Sequence, residues 1–102
     1  MLCSWRYRGE TMAEPIVDYI VTPHAAFEIE RRGVADEMAR RVLGEPEQRL
    51  PVRPGREVLQ SRAVLADKTY LIRVFVDVDC SPAEVVTIYR TSRISKYWRN
   101  EP

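Results

Sequence analysis

The sequence has few of the residues that build metal sites and disulfides. It contains two cysteines, Cys3 and Cys80, and a single histidine, His24. A zinc site takes about four ligands at short spacings, which two distant cysteines and one histidine do not supply. We therefore expect no metal, no cofactor and no structural disulfide, a pattern typical of the reducing cytoplasm.

Long apolar runs and an excess of charge of one sign are also lacking. No segment approaches the roughly 20 apolar residues that span a bilayer, and the N-terminus has no apolar core of a signal peptide. The 16 basic and 15 acidic side chains leave a net charge of +1, so no overall charge attracts nucleic acid or a membrane. We expect a soluble cytoplasmic protein with no membrane partner.

What remains is the composition of one globular domain. The chain has 102 residues, of which 45% are hydrophobic and 30% charged. This length predicts a single domain with a modest core. We assign residues 16–92 to an α+β domain, residues 1–15 to a flexible N-terminal extension and residues 93–102 to a basic, aromatic C-terminal tail.

The N-terminal extension has two interpretations beyond a simple tail. Met12 stands just before the first patterned segment and is an alternative start to Met1. Alternatively, residues 1–15 form a basic arm whose Trp5 and Tyr7 stack on nucleic-acid bases.

The first half of the domain predicts a short strand and two helices. Residues 16–21 read as a strand, and Thr22 and Pro23 then supply an N-cap and a first helical residue. This helix runs to residue 32 and ends at Gly33. A second amphipathic helix follows over residues 35–43 and ends at Gly44, so the two helices form a tight hairpin.

The second half predicts strands. They cover residues 48–52, 57–65, 69–79 and 84–91, with a loop at residues 66–68 and a final helical turn after residue 92. Short connections favour an antiparallel arrangement. The predicted fold class is therefore α+β: a short N-terminal strand, a two-helix hairpin and an antiparallel, twisted sheet of three to four strands.

Alternation sorts the long strand into two faces. Ile72, Val74 and Val76 form an apolar face that we expect to pack on the helices, whereas Arg73 points to the other side. Which faces of the neighbouring strands meet the helices stays open from the sequence alone.

Arginines and a tyrosine can converge on the face of Arg73. Arg62 and either Tyr89 or Arg90 lie on neighbouring strands. Guanidinium groups bind phosphate through paired hydrogen bonds, and a tyrosine hydroxyl can transfer protons. In the alternative interpretation, the face is solvated and the arginines pair with carboxylates across the strands, those of Glu57, Asp77 or Glu84.

His24 lies in the first turn of the first helix, on one face with Glu28 and Arg31. A neutral imidazole there could act as a general base. The alternative is a local hydrogen bond that fixes the start of the helix.

The C-terminal run from residue 90 to residue 99 alternates cations with hydroxyls and two aromatic rings. Arg93 and Lys96 are candidates for binding RNA phosphates, and Tyr97 and Trp98 for stacking on bases. Alternatively, the run is a solvated tail whose two rings cover the edge of the core.

Three strings in this chain resemble an uncharacterised family of small bacterial domains. They are HAAFEIERRGV at residues 24–34, VLGEP at residues 42–46 and VTIYR at residues 86–90. That family is similar in layout to the RelE/ParE and BrnT toxins of toxin–antitoxin systems. The resemblance covers roughly residues 16–92 and implies two helices packed on one face of a twisted antiparallel sheet.

The resemblance also implies a metal-independent ribonuclease, in which an RNA 2′-hydroxyl attacks the adjacent phosphate. Arg62, Arg73 and Arg90 would then hold phosphate, and His24 and Tyr89 would transfer protons. Our predicted catalytic residues are accordingly His24, Arg73 and Tyr89. The predicted RNA-binding residues are Arg62, Arg90, Arg93 and Lys96.

The implied partners are an RNA substrate, an antitoxin or other protein, and a second copy in a homodimer. ParE-like relatives share the fold but act on DNA gyrase. The alternative function is therefore a non-catalytic protein- or RNA-binding module with the same fold, such as a ParE-like inhibitor of a protein target.

Overall fold

A computed structural model describes residues 13–99 of the chain. The elements follow in the order β1 (Tyr19–Val21), α1 (Pro23–Arg31), α2 (Asp36–Gly44), β2 (Gln48–Arg53), β3 (Arg56–Leu65), β4 (Lys68–Asp77), β5 (Ala83–Thr91) and α3 (Ile94–Tyr97). This order confirms the α+β class. The alternative start at Met12 and the stacking arm of Trp5 and Tyr7 lie outside the described residues.

The strands form one five-stranded sheet in the order β1-β5-β4-β3-β2. Strands β2 to β5 make the antiparallel meander that the short connections predicted, and β1 joins β5 in parallel. The predicted purely antiparallel sheet of three to four strands therefore needs correction to a mixed sheet of five. The pairing of β1 with β5 joins residues more than 60 positions apart, so no local pattern announces it.

The start of α1 is fixed on β5 by Thr22. Its hydroxyl accepts a hydrogen bond from the Ala25 backbone N–H (3.2 Å) and donates one to the Val85 carbonyl (2.9 Å). β1 pairs with residues 83–85 of β5, and α1, which follows β1 directly in the chain, packs against the same strand. Gly33, with φ +69°, ends the helix in the left-handed conformation that favours glycine.

The core lies between the two long helices and one face of the sheet. The predicted apolar face of β4 is confirmed, because Ile72, Val74 and Val76 are fully buried there. Val42 and Leu43 of α2 belong to the same cluster. The side chain of Arg73 therefore points to the opposite side of the sheet. Within residues 13–99, no helix is long and apolar enough to cross a membrane.

A tight turn joins β3 to β4. Leu65 pairs with Lys68, and the two residues between them, Ala66 and Asp67, have φ of 52° and 66°. Two central residues with positive φ define a type I′ hairpin turn, which matches the twist of the flanking strands. Alanine is poorly suited to this conformation, since its Cβ crowds the backbone.

Replacing Ala66 by glycine should therefore stabilise the domain. We expect a gain of about 0.5–1 kcal/mol, because relief of left-handed strain exceeds the extra freedom of glycine in the unfolded chain. The control is Ala26→Gly in α1, which should lose about 1 kcal/mol. Thermal unfolding followed by circular dichroism measures both, and a lower Tm for both variants would contradict the strain at Ala66.

Candidate functional site

Three polar side chains lie side by side across the middle of the sheet. Gln60 on β3 is directly opposite Arg73 on β4, which is directly opposite Tyr89 on β5. Directly opposed residues share a face. Together with Arg62, two positions along β3, and Phe75, two positions along β4, they form what we call the arginine face.

Arg73 is held on this face by neutral groups. Its Nε donates to Gln60 Oε1 at 2.8 Å and its Nη1 donates to the Tyr89 hydroxyl at 2.7 Å. The guanidinium carbon lies 4.4, 5.3 and 5.8 Å from the ring centroids of Tyr97, Phe75 and Tyr89. Among residues 13–99 it has no carboxylate partner. The positive charge of Arg73 is therefore oriented but not neutralised by these contacts.

Tyr89 lies between two guanidinium groups. Its hydroxyl accepts the hydrogen bond from Arg73, and its ring packs on that of Phe75 with centroids 5.9 Å apart. From the α1 side, the guanidinium carbon of Arg32 lies 5.8 Å from the Tyr89 ring centroid. An anion placed beside the Tyr89 hydroxyl would be attracted by the adjacent cation of Arg73.

Glu28 anchors the cations at the end of α1. Only 5% of this residue is exposed, and its carboxylate forms ion pairs with Arg31 at 3.2 Å and with Arg32. Burial alone raises the pKa of the Glu28 carboxyl, but the hydrogen bonds and charges of the two arginines outweigh it and hold the pKa below its ordinary value. Arg31 and Arg32 are therefore already partnered.

Arg62 is also paired. Its Nε and Nη2 donate to the two carboxylate oxygens of Glu47 at 3.0 and 3.1 Å, and its guanidinium lies 4.3 Å from the Trp98 ring centroid. Burial raises the pKa of the Glu47 carboxyl, and the hydrogen bonds of Arg62 lower it by more. Arg62 shares the face of Arg73, as predicted from alternation, but its charge is balanced.

Residues 94–99 lie across the arginine face, and we call them the C-terminal strap. The Tyr97 carbonyl accepts a hydrogen bond from Gln60 Nε2 (3.2 Å), and Gln48 on β2 binds both backbone groups of Arg99. The predicted final helical turn is confirmed as α3, and the two rings of the strap cover the arginine face. Lys96 is exposed, with Nζ 5.4 Å from the Tyr97 ring centroid, and exposed Arg93 precedes the strap.

Two predicted site residues lie apart from this group. Arg90 is opposite Ile72, which places it on the helix-covered face, where its guanidinium lies 5.0 Å from the Tyr70 ring centroid. His24 is exposed in the first turn of α1, about 12 Å along the helix axis from Arg32. Its side chain has no hydrogen bond to any described residue, and the start of α1 is instead fixed by Thr22.

Sequence reasoning did not single out Gln60 or Arg32. Gln60 is fully buried, although the alternation of its strand suggested only a polar position beside Arg62. The available signal was the short β3–β4 turn, which fixes the strand register and sets Gln60 opposite Arg73. No local pattern connects Arg32, on α1, with Tyr89.

Neither a metal cluster nor a relative identifies the site. Residues 13–99 contain no group of three or more histidine, cysteine or acidic side chains that could hold a metal ion. Comparisons of the chain with models of protein families, with curated proteins and with solved structures found no match. The chemistry of the arginine face therefore rests on its own contacts.

Farther along the same side of the sheet, Arg56 and Asp77 are directly opposed. Arg56 Nε and Nη2 donate to the two carboxylate oxygens of Asp77 at 2.7 and 3.2 Å. The hydrogen bond from Arg56 outweighs partial burial and holds the pKa of the Asp77 carboxyl below its ordinary value of 3.8. This ion pair is part of what holds β3 on β4.

Asp77→Asn should destabilise the domain by roughly 0.5–1 kcal/mol at pH 7, the range of a partly exposed ion pair. Because the pKa is depressed in the folded state, the contribution of Asp77 is complete above the unfolded pKa and is lost as pH falls through the folded pKa. Urea unfolding from pH 7 to pH 2.5 measures it. The gap between wild type and variant should close in acid, and a constant gap would contradict the assignment. Asp18→Asn, an exposed acidic control, should change stability little.

Proposed function

We propose that this protein is a toxin-like, metal-independent endoribonuclease of a bacterial toxin–antitoxin system, with the scissile phosphate bound at Arg73 and Tyr89. The observation that carries the proposal is the state of Arg73. It is oriented by Gln60 and Tyr89, surrounded by three aromatic rings and, within residues 13–99, unpaired with any carboxylate. An oriented guanidinium with an unbalanced charge is suited to a phosphate.

The reaction is a transfer within the RNA backbone. The 2′-oxygen forms a bond to phosphorus, the bond from phosphorus to the 5′-oxygen breaks, and the products are a 2′,3′-cyclic phosphate and a 5′-hydroxyl. One proton leaves the 2′-hydroxyl and one reaches the 5′-oxygen. Arg73 would stabilise the extra negative charge of the pentacoordinate phosphate, and the Tyr89 hydroxyl would act in proton transfer.

The C-terminal strap supports RNA as the substrate. Arg93 and Lys96 lie in or beside it, and its Tyr97 and Trp98 rings are partly exposed. Cations interleaved with aromatic rings suit a single-stranded RNA, whose phosphates and bases are both accessible. An antitoxin that silences this protein would cover the arginine face with acidic side chains.

A second candidate is the binding module without catalysis. The surroundings of Tyr89 favour it, because no second proton-transfer group within residues 13–99 forms a hydrogen bond with the Tyr89 hydroxyl. That hydroxyl has Arg73 as its hydrogen-bond partner among the described residues, and His24 lies in the first turn of α1. Cleavage needs one proton removed and one delivered, and binding needs neither. The ribonuclease therefore cleaves RNA and the binding module does not, whereas both need Arg73 to bind their ligand.

Cleavage of a single-stranded RNA in EDTA tests the proposal. Arg73→Ala and Tyr89→Phe should each lower the rate about 100-fold, the usual effect of removing a charge-stabilising or proton-transfer group. Arg40→Ala removes an exposed cation of α2 and should leave the rate unchanged. The product should carry a 2′,3′-cyclic phosphate.

Equal, trivial cleavage by all four proteins would reject the ribonuclease. In that case, salt-dependent RNA binding that Arg73→Ala abolishes and Tyr89→Phe preserves would establish the binding module. Binding of one protein partner from a host lysate, with no RNA, would instead favour a protein-directed inhibitor.

A further inference from the structure

Gln60 is the most constrained polar residue of the arginine face. Its side chain is fully buried, its Oε1 accepts from Arg73 Nε, and its Nε2 donates to the Tyr97 carbonyl and, at 2.7 Å, to Gln48 Oε1. Both amide hydrogens and the amide oxygen are therefore used. A buried amide group that loses a hydrogen-bond partner destabilises the fold, so these contacts stabilise one another.

The orientation of the amide group is fixed by its partners. A flipped Gln60 would face the guanidinium of Arg73 with an N–H donor and the Tyr97 carbonyl with an oxygen, which would break both hydrogen bonds. Arg73 and the strap therefore require the same orientation of one side chain.

Gln48 extends this connection to the end of the strap. Its Oε1 accepts from Gln60 Nε2 and from the Arg99 backbone N–H at 3.0 Å, and its Nε2 donates to the Arg99 carbonyl. A continuous row of hydrogen bonds thus runs from the strap through two glutamines to Arg73 and on to Tyr89. Gln48 forms hydrogen bonds with the strap and with Gln60 but not with Arg73. A substitution at Gln48 therefore removes no group of the proposed phosphate site.

Electrostatic interactions determine whether an anion bound at Arg73 favours or opposes docking of the strap. Lys96 and Arg73 both lie close to the Tyr97 ring, with their cationic atoms 5.4 and 4.4 Å from its centroid. They are thus at most about 10 Å apart, close to the Debye length of about 8 Å at physiological salt, so the repulsion between them is small there and larger at low ionic strength. An anion bound at Arg73 would relieve this repulsion and favour the docked strap.

We propose that Gln60 and Gln48 are positioning residues that couple docking of the C-terminal strap to the orientation of Arg73, so that strap docking and anion binding strengthen each other. The coupling is reciprocal by thermodynamic linkage. The identity of the anion as an RNA phosphate rests on the proposed function, whereas the coupling within the protein does not. The strap is accordingly part of the anion-binding site, and it stays docked when an anion binds at Arg73.

The first arm of the test uses no RNA. The chain has two tryptophans, Trp5 and Trp98, so a Trp5→Phe background leaves Trp98 as the only fluorescent reporter of the strap. Gln48→Ala should increase quenching of Trp98 by acrylamide at least twofold. Arg73→Ala should do the same, because loss of the Tyr97 ring contact and of the Gln60 hydrogen bond outweighs relief of the screened repulsion from Lys96. Val52→Ala, on the same strand as Gln48 and exposed, should not. Unchanged quenching in Gln48→Ala would overturn the proposal.

The second arm measures affinity for a fluorescein-labelled RNA oligonucleotide by anisotropy. Gln48→Ala should weaken binding 3- to 10-fold while Tm stays within a few degrees of wild type, and saturating RNA should protect Trp98 of the Trp5→Phe protein from acrylamide. Unchanged or tighter binding by Gln48→Ala would overturn the coupling. If the wild-type protein neither binds nor cleaves RNA, the proposed function fails, and the first arm still decides the coupling.

Discussion

The hydrogen bonds that Arg73 donates to Gln60 and to Tyr89 join three neighbouring strands on one face of the sheet. They exist because β3, β4 and β5 are in a register that sets these residues directly opposite one another. A slip of one residue would turn Arg73 toward the core and bring an apolar neighbour to the arginine face. The buried row of Ile72, Val74 and Val76 excludes that slip, so the core specifies the site.

Four arginines of the sheet differ in their partners. Arg49, Arg56 and Arg62 each pair with a carboxylate, and these pairs join β2 to β3, β3 to β4 and β3 to the residue just before β2. Arg73 meets an amide, a hydroxyl and aromatic rings instead. An ion pair balances the charge of an arginine within the protein, whereas neutral partners fix its geometry and leave its charge unbalanced. This difference distinguishes Arg73 from the three paired arginines.

The sequence predicted the features of this fold that depend on neighbouring residues, but not the contacts between residues far apart in the chain. Thr22 as a cap, Gly33 as a helix end and the apolar side of β4 all follow from chemistry within a few residues. The parallel pairing of β1 and the contact of Gln48 with Arg99 join positions that are far apart in the chain. Alternation placed Arg62, Arg73 and Tyr89 correctly as candidates for one face. It could not distinguish Tyr89 from Arg90, because that choice depends on the strand register.

The strap changes how the charge of Arg73 acts. With the Tyr97 ring 4.4 Å from the guanidinium carbon, water is displaced from one side of the cation. Gln60 and Tyr89 orient the group through Nε and Nη1, and Nη2 has no hydrogen-bond partner among residues 13–99. Electrostatic attraction strengthens as the surroundings become less polar, so an anion placed at Nη2 would meet a stronger field than on an open sheet. The same contact restricts the angle of approach. In the proposed coupling, the anion affinity of this site therefore depends on docking of the terminal segment, through the amide of Gln60.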